Sequence, residues 1–525
     1  MPWTGRAQRR RSCSSAPRAA RRCARELLDR AEAVARDLSA FDGDTVLMIA
    51  APDPVDQSVA VAGALLAGLV PLVVDPASVQ RSSPEEAALR DRVTAAGYGL
   101  VRWETGTDVV AAPAGEMTRL PAGARPVMLQ QTSGTTGTPQ LCIWTEANVL
   151  DRIAAMSQAM QVTLQDRFLC WTPLGHTVGM LNNFLLCLLN RIPLVLVAPQ
   201  VIQRDPLDWL RLLDETAASV TWAPNFLYAE VLRALNRDLD RDDSAGVRLV
   251  SVRAIWNAGE RVDPALFSRF GAALAPLGLR PSALRTNFGC AEFTGGATFS
   301  DGRFDAECVD RDQLSAGRAV PVPGSDPGGM EIASVGGAAP GVTVTIVAED
   351  GGICPDGMVG EILLRALRPV GGYLGASSDG QEVLRTGDMG YLREGRLFWM
   401  GRIKETINIR GRKFDPNQLA PILSEHGVGT FVAFSVPSEI RGTEEAVLLL
   451  ETGDGQIAPE TLRALRRAVQ SRLGLALAKV ECVPPGTLRT TASGKRRHSY
   501  YRNAWEAGDF SGQNAGETPV SGEKS

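Results

Sequence analysis

Val46-Leu-Met-Ile-Ala50 is a short apolar run, Pro71-Leu-Val-Val-Asp75 is a second, and the stretch from about 56 to 69 between them has helical character. Apolar runs of this length read as buried strands. Strand, helix, strand in that order is a βαβ unit, which implies a parallel sheet. Upstream, Leu27, Ala31, Val34 and Leu38 recur at helical spacing, so a helix is expected over 24–41. Downstream the alternation continues, with strands expected at 193–198, 220–223 and 252–257 and a helix at 205–214. After about Ser300 the chain turns to Gly- and Pro-rich connections between alternating strands, such as 342–347 and 360–365. Beyond Gly401 come further strands at 431–436 and 446–451. A helix there carries Leu462, Leu465, Val469 and Leu473 on one face.

These patterns predict an α/β protein. A large N-terminal domain over 24–400 combines parallel-type sheets and helices with a β-rich subdomain, and a small mobile α+β domain follows over 401–507. Residues 1–23, which include seven of the eight arginines found before residue 26, are expected to be a disordered basic arm. The Gly-, Ser- and Glu-rich segment 508–525 is expected to be a disordered tail.

Composition narrows the chemistry. The formal net charge is -4 over 525 residues, which supplies no field for holding a nucleic-acid backbone or an acidic membrane surface. Nine scattered cysteines without a Cys-x-x-Cys pair argue for a reducing compartment and against structural zinc. Of the three histidines, none stands beside a Ser or Cys in a nucleophile motif. The apolar runs all fall short of the roughly 18 residues that span a bilayer. A cytoplasmic protein acting on a small molecule is expected, with neither nucleic-acid binding nor stable membrane insertion.

The segment Gln131-Thr-Ser-Gly-Thr-Thr-Gly-Thr-Pro139 holds four threonines, a serine and two glycines between an apolar strand at 127–129 and a helix starting near Glu146. Glycines let backbone N–H groups close on an anion, and hydroxyls add uncharged donors, so the composition suits phosphate. The plain alternative is a polar turn. Trp256-Asn-Ala-Gly-Glu-Arg261 and Asn287-Phe-Gly-Cys-Ala-Glu292 each follow an apolar run, and two such turns at strand ends can wall one pocket. Taken alone, Phe288 reads as a core aromatic and Glu292 as a surface carboxylate. Arg385-Thr-Gly-Asp388 sets a carboxylate beyond a tight turn, able to accept two hydrogen bonds from a sugar diol.

Residues 132–137 match the signature loop of the acyl-adenylate-forming superfamily, which includes acyl-CoA ligases, luciferases and peptide-synthetase adenylation domains. The resemblance runs from about 127 to 504 with the motifs in order. It implies ATP and Mg²⁺ as cofactors and a carboxylic acid as substrate. Thr132, Ser133, Gly134, Thr136 and Gly137 would cradle the phosphates, and Thr135 with Glu292 would serve catalysis and hold magnesium. Asn287, Phe288 and Gly289 would line the adenine site opposite Ala258 and Gly259. Asp388 would bind ribose, Arg402 ribose or phosphate, and Lys404 would be the hinge. His176, Asn225, Trp256 and Cys290 would line the acid pocket, although His176, Trp222 and Trp256 are equally readable as core residues. Lys495, in Ser493-Gly-Lys495, would be the mobile catalytic cation. Two departures stand out: Gln140 where the superfamily has lysine, and Arg489-Thr490 in place of Pro-Arg.

Ala223-Pro-Asn-Phe-Leu-Tyr228, Ala291-Glu292 and Ile409-Arg-Gly-Arg-Lys-Phe-Asp-Pro416 resemble the fatty acyl-AMP ligases. So does the 41-residue span 293–333, about twice the length usual in acyl-CoA ligases. That branch implies transfer to an acyl carrier protein. The alternatives are an acyl-CoA ligase, an aryl or amino acid adenylating enzyme, or a catalytically degenerate binding protein.

Overall fold

The computed structural model describes residues 24–41, 43–77, 79–104, 110–112, 126–132, 140–237, 246–302, 304–376, 381–409, 412–437, 444–453, 456–490 and 496–508. The expected basic arm and all but the first residue of the expected tail lie outside them.

The opening βαβ unit folds as its pattern dictates. Thr45–Ile49 and Val70–Val73 pair in parallel, with Val46 opposite Val70, across the helix Pro54–Leu66. Asp53 caps that helix by accepting from the Val55 N–H at 2.6 Å, and Pro54 sits in its first turn, where its missing N–H costs nothing. Both strands are buried at every residue, which is why they read as unbroken apolar runs. Gly99–Trp103 adds a third parallel strand and Val110–Ala112 an antiparallel edge.

Residues 126–145 hold a departure from the sequence reading. The phosphate-type loop is followed by a strand, Leu141–Thr145, before the helix Glu146–Ala159 begins. That strand pairs antiparallel with Pro126–Gln131, so the loop closes a hairpin.

A twelve-stranded sheet dominates the large region. One half is parallel: Leu194–Leu196, Phe168–Cys170, Val220–Ala223 and Ala254–Asn257. The other half is antiparallel and carries the strands after residue 295. The β-rich region is therefore the second half of one sheet rather than a separate layer. The join is Leu284–Cys290, hereafter the switch strand. Its residues 284–286 pair in parallel with Ala254–Asn257, and its residues 287–290 pair antiparallel with Gly295–Phe299. The two strands approach so closely that a Cβ on Gly289 would lie 2.2 Å from the Gly295 carbonyl oxygen, so glycine is required there.

After residue 401 the chain builds its own core. Phe431–Pro437 and Glu444–Glu451 are antiparallel, and Leu477–Val483 joins the latter in parallel. The helix Pro459–Leu473 buries Leu465, Val469 and Leu473 against Leu448 and Leu450, while Leu462 stays partly exposed.

Candidate active site

The hairpin supplies two fixed feet for the loop. The Thr132 N–H donates to the Gln140 carbonyl at 2.9 Å, and the Gln140 N–H donates to Thr132 Oγ1 at 3.0 Å. Gln140 is exposed at the second foot, so the residue that departs from the superfamily pattern stands at the rim. Ser133, Gly134, Thr135, Thr136 and Gly137 lie outside the described residues, as does Lys495.

Across from the hairpin, the switch strand and the strands Val383–Arg393 and Arg396–Arg402 bring charged groups together. Asp388 and Arg402 face each other in register, with Arg402 Nε 3.5 Å from Asp388 Oδ1. Asp388 is only 2 % exposed, and its Oδ1 is buried without a hydrogen-bond partner. Burial, against the pull of the Arg402 guanidinium and with Glu292 and Glu405 adding to the rise, pushes its carboxyl up to about 7. Glu292, two residues past the switch strand, accepts from the Tyr373 hydroxyl at 2.9 Å. Burial, with the Glu292 carboxylate beside it, drives the Tyr373 phenol well above its usual value, so it stays a donor. Burial likewise raises the Cys290 thiol, with Glu292 and Asp388 adding to the shift. Gly259, Arg402, Glu405, Asp415, Arg496 and His498 line a small solvent-connected crevice, with about 60 Å³ of room, between the two parts of the chain.

Several residues assigned from the sequence turn out to brace the walls. Asn225 donates to the Arg261 carbonyl at 2.7 Å and accepts from Asn257 Nδ2 and the Asp263 N–H, which ties the 223–225 turn to 257–263. Asn287 accepts from the Trp222 indole at 3.3 Å. Trp256 is buried and stacks on Trp222 with centroids 6.0 Å apart. Phe288 is buried against Trp399 at 5.2 Å, so its ring is a core aromatic in this state. His176 accepts from the Val178 N–H at 3.2 Å, at the entry to the π-helix Val178–Leu185. Ala258 and Gly259 are half-buried just past the strand Ala254–Asn257. Lys404 is exposed in a single 3₁₀ turn between the two cores.

Tyr373 and the ion pair between Arg261 and Asp415, at 3.3 Å and nearly buried, went unread in the sequence. The first had a signal: the Gly371-Gly372 pair before it. A Cβ at Gly371 would lie 2.1 Å from the Ile143 carbonyl oxygen, so that backbone presses directly on the hairpin.

With this geometry in view, the profile of a family described as AMP-binding enzyme matches residues 81–374, more than half of the chain. The chain belongs to the AMP-binding enzyme family. Among relatives, a 4-hydroxyphenylalkanoate adenylyltransferase of Mycobacterium marinum is 30 % identical over 91 % of this chain and 85 % of its own. A long-chain-fatty-acid–AMP ligase, FadD26, of Mycobacterium bovis is 32 % identical over 71 % of this chain and 68 % of its own. The fold of a solved structure from a study of fatty acyl-adenylate ligases from E. coli and L. pneumophila superposes with a TM-score of 0.77. It covers 92 % of both chains at 24 % identity. The matched family segment of this AMP-binding enzyme contains the hairpin, the switch strand, Glu292 and Tyr373, and ends before Asp388 and Arg402.

The Asp388 carboxyl gives this AMP-binding enzyme a distinctive pH response. Its folded value, about 7, lies above its unfolded value of 3.8. The group therefore favours the fold fully below about 4, and that contribution is lost as pH rises through about 7. Without nucleotide, the melting temperature should fall by about 2 °C more between pH 6 and pH 8 in wild type than in Asp388→Asn. Equal slopes in a scanning fluorimetry series would remove Asp388 from the account.

Proposed function

We propose that this AMP-binding enzyme joins a carboxylic acid to AMP and passes the acyl group to the phosphopantetheine thiol of an acyl carrier protein. In the first step the carboxylate oxygen attacks the α-phosphorus of ATP, the bond to the β-phosphate oxygen breaks, and pyrophosphate leaves. In the second, the thiol sulfur attacks the acyl carbon, its proton passes to solvent, and AMP departs. No side-chain nucleophile is needed, in keeping with a crevice whose charged groups are carboxylates and guanidiniums.

The observation that carries the reading is the orphaned, buried Oδ1 of Asp388 opposite Arg402, a ready acceptor for a ribose diol. Lys495 on the small unit, residues 401–507, would supply the mobile cation, with Lys404 as hinge. The phosphate loop would hold the departing pyrophosphate. Magnesium fits as a companion of ATP. Among the described residues no cluster of three or more His, Cys, Asp or Glu could hold a metal alone, and magnesium characteristically takes one or two carboxylates plus substrate phosphates. Glu292, with Thr135, would hold it, and it would neutralise charge on the phosphates. The fatty acid class is supported by the name of the FadD26 relative. An arylalkanoic acid is the second reading, favoured by the adenylyltransferase relative that matches most of the chain.

Among the described residues no helix is long and apolar enough to cross a membrane. With the net charge of -4, that supports a cytoplasmic enzyme without nucleic-acid partners.

Incubation with ATP, magnesium and pooled carboxylic acids should yield an acyl adenylate detectable by mass spectrometry, with pyrophosphate in equal amount. Addition of a phosphopantetheinylated carrier protein should then load it at least tenfold faster than free coenzyme A is acylated. Rapid acyl-CoA accumulation would overturn the carrier assignment, and silence with every acid would point to a binding protein.

A further inference from the structure

Tyr373 occupies a position that the reaction scheme leaves unassigned. Residues 371–374 run along the outer edge of the hairpin strand Leu141–Thr145. The Ile143 N–H donates to the Gly372 carbonyl at 2.9 Å, the Leu374 N–H donates to the Leu141 carbonyl at 2.8 Å, and Tyr373 bridges Cys142. The tyrosine backbone is therefore fastened to the strand that leaves the phosphate loop. Its side chain crosses to the opposite wall, where its hydroxyl holds Glu292 Oε1 at 2.9 Å. Among the described residues this hydroxyl is the sole hydrogen-bond partner of that carboxylate. A second tie runs in parallel: the Trp144 indole donates to the Ala291 carbonyl at 2.8 Å in a fully buried contact.

The two ties act differently. Trp144 fixes the backbone of the 291–292 turn, whereas Tyr373 fixes the carboxylate itself. A hydroxyl bound to one carboxylate oxygen selects the rotamer and leaves the other oxygen to meet a cation, the usual way an outer partner orients a metal ligand.

We propose that Tyr373 is a positioning residue that orients the Glu292 carboxylate toward the magnesium accompanying ATP and ties it to the hairpin strand Leu141–Thr145. The inference rests on the proposed role of Glu292 in that reading.

The test uses full-length enzyme with Mn²⁺ as the probe, read by electron paramagnetic resonance in the presence of a non-hydrolysable ATP analogue. Tyr373→Phe should raise the Mn²⁺ concentration at half-saturation by about 10-fold or more. Nucleotide affinity without metal should stay within a few-fold of wild type. In a Glu292→Gln background the same substitution should change Mn²⁺ binding less than twofold. Trp144→Phe, which loosens the turn without touching the carboxylate, reports the purely structural effect. A Tyr373→Phe half-saturation equal to wild type, or a shift no larger than that of Trp144→Phe, overturns the proposal; so does a full shift that persists in the Glu292→Gln background. Wild type that binds the analogue with no dependence on Mn²⁺ overturns the magnesium role of Glu292 and this inference with it, a result distinct from the others. Should Tyr373→Phe melt early, the half-saturation is measured below its transition, and it must still exceed that of Trp144→Phe for the proposal to stand.

Discussion

Lys495→Ala is expected to slow acyl-adenylate formation by about 10²–10³-fold. Adenylation presses a carboxylate against a phosphate, and two unit charges about 4 Å apart at an effective dielectric near 20 repel by about 4 kcal/mol. An ammonium placed between them turns that repulsion into two attractions. Lys495 itself lies outside the described residues, but Arg496 beside it lines the crevice. The Arg496 guanidinium stands 4.2 Å over the Phe431 ring, and its Nη1 donates to Asn417 Oδ1 at 3.4 Å. Two readouts separate a specific role from a general one. Pyrophosphate release should collapse in the variant, while transfer of the acyl group from chemically prepared acyl-AMP to the thiol acceptor should stay within a few-fold, because no second anion approaches in that step. Lys495→Arg should recover part of the first activity, since charge is kept and geometry is not. A Lys495→Ala enzyme that adenylates within threefold of wild type would refute the electrostatic mechanism.

Asp388→Ala is expected to weaken ATP binding by about 100-fold, measured by calorimetry. Hydrogen bonds to an ionised acceptor contribute about 1.5–3 kcal/mol each, and a ribose diol can make two. The same change should stabilise the nucleotide-free protein above pH 7, because it removes a carboxylate whose ionisation is opposed by burial. Affinity and stability should therefore move in opposite directions, as expected where a binding site stores unfavourable burial. Asp388→Asn keeps the shape and one acceptor, so its loss should be nearer 10-fold. A variant with unchanged ATP affinity would mean that the ribose is held elsewhere.

Much of this organisation was legible in the chain because it is local. The apolar runs at Val46–Ala50 and Pro71–Asp75, the helix carrying Leu465 and Val469, and the motifs ending at Glu292 and Asp388 all announce themselves within a dozen residues. What escaped was pairing between distant segments. The strand Leu141–Thr145 merges with the loop before it and the helix after it, and its alternation is hidden because four of its five residues are buried. Nothing near Tyr373 indicates that it meets Glu292, 81 positions away in sequence. Phe288 and Trp399, or Asn225 and Asn257, likewise acquire their roles only once the sheet has closed. Motifs single out residues suited to a nucleotide; the partners that surround those residues come from topology.

The switch strand also bears on how such genes can be shuffled. Its first three residues take their register from the parallel half and its last four from the antiparallel half, all within seven consecutive positions. A single recombination breakpoint between residues 286 and 287 would leave residues 284–286 beside Ala254–Asn257 of the same parent and residues 287–290 beside Gly295–Phe299 of the same parent, so both pairings would stay native. Viable hybrids of this enzyme and its relatives should therefore tolerate a crossover at that junction better than one within 258–283 or 291–294, each of which sets the strand against a foreign neighbour, and a library of chimeras would show the difference.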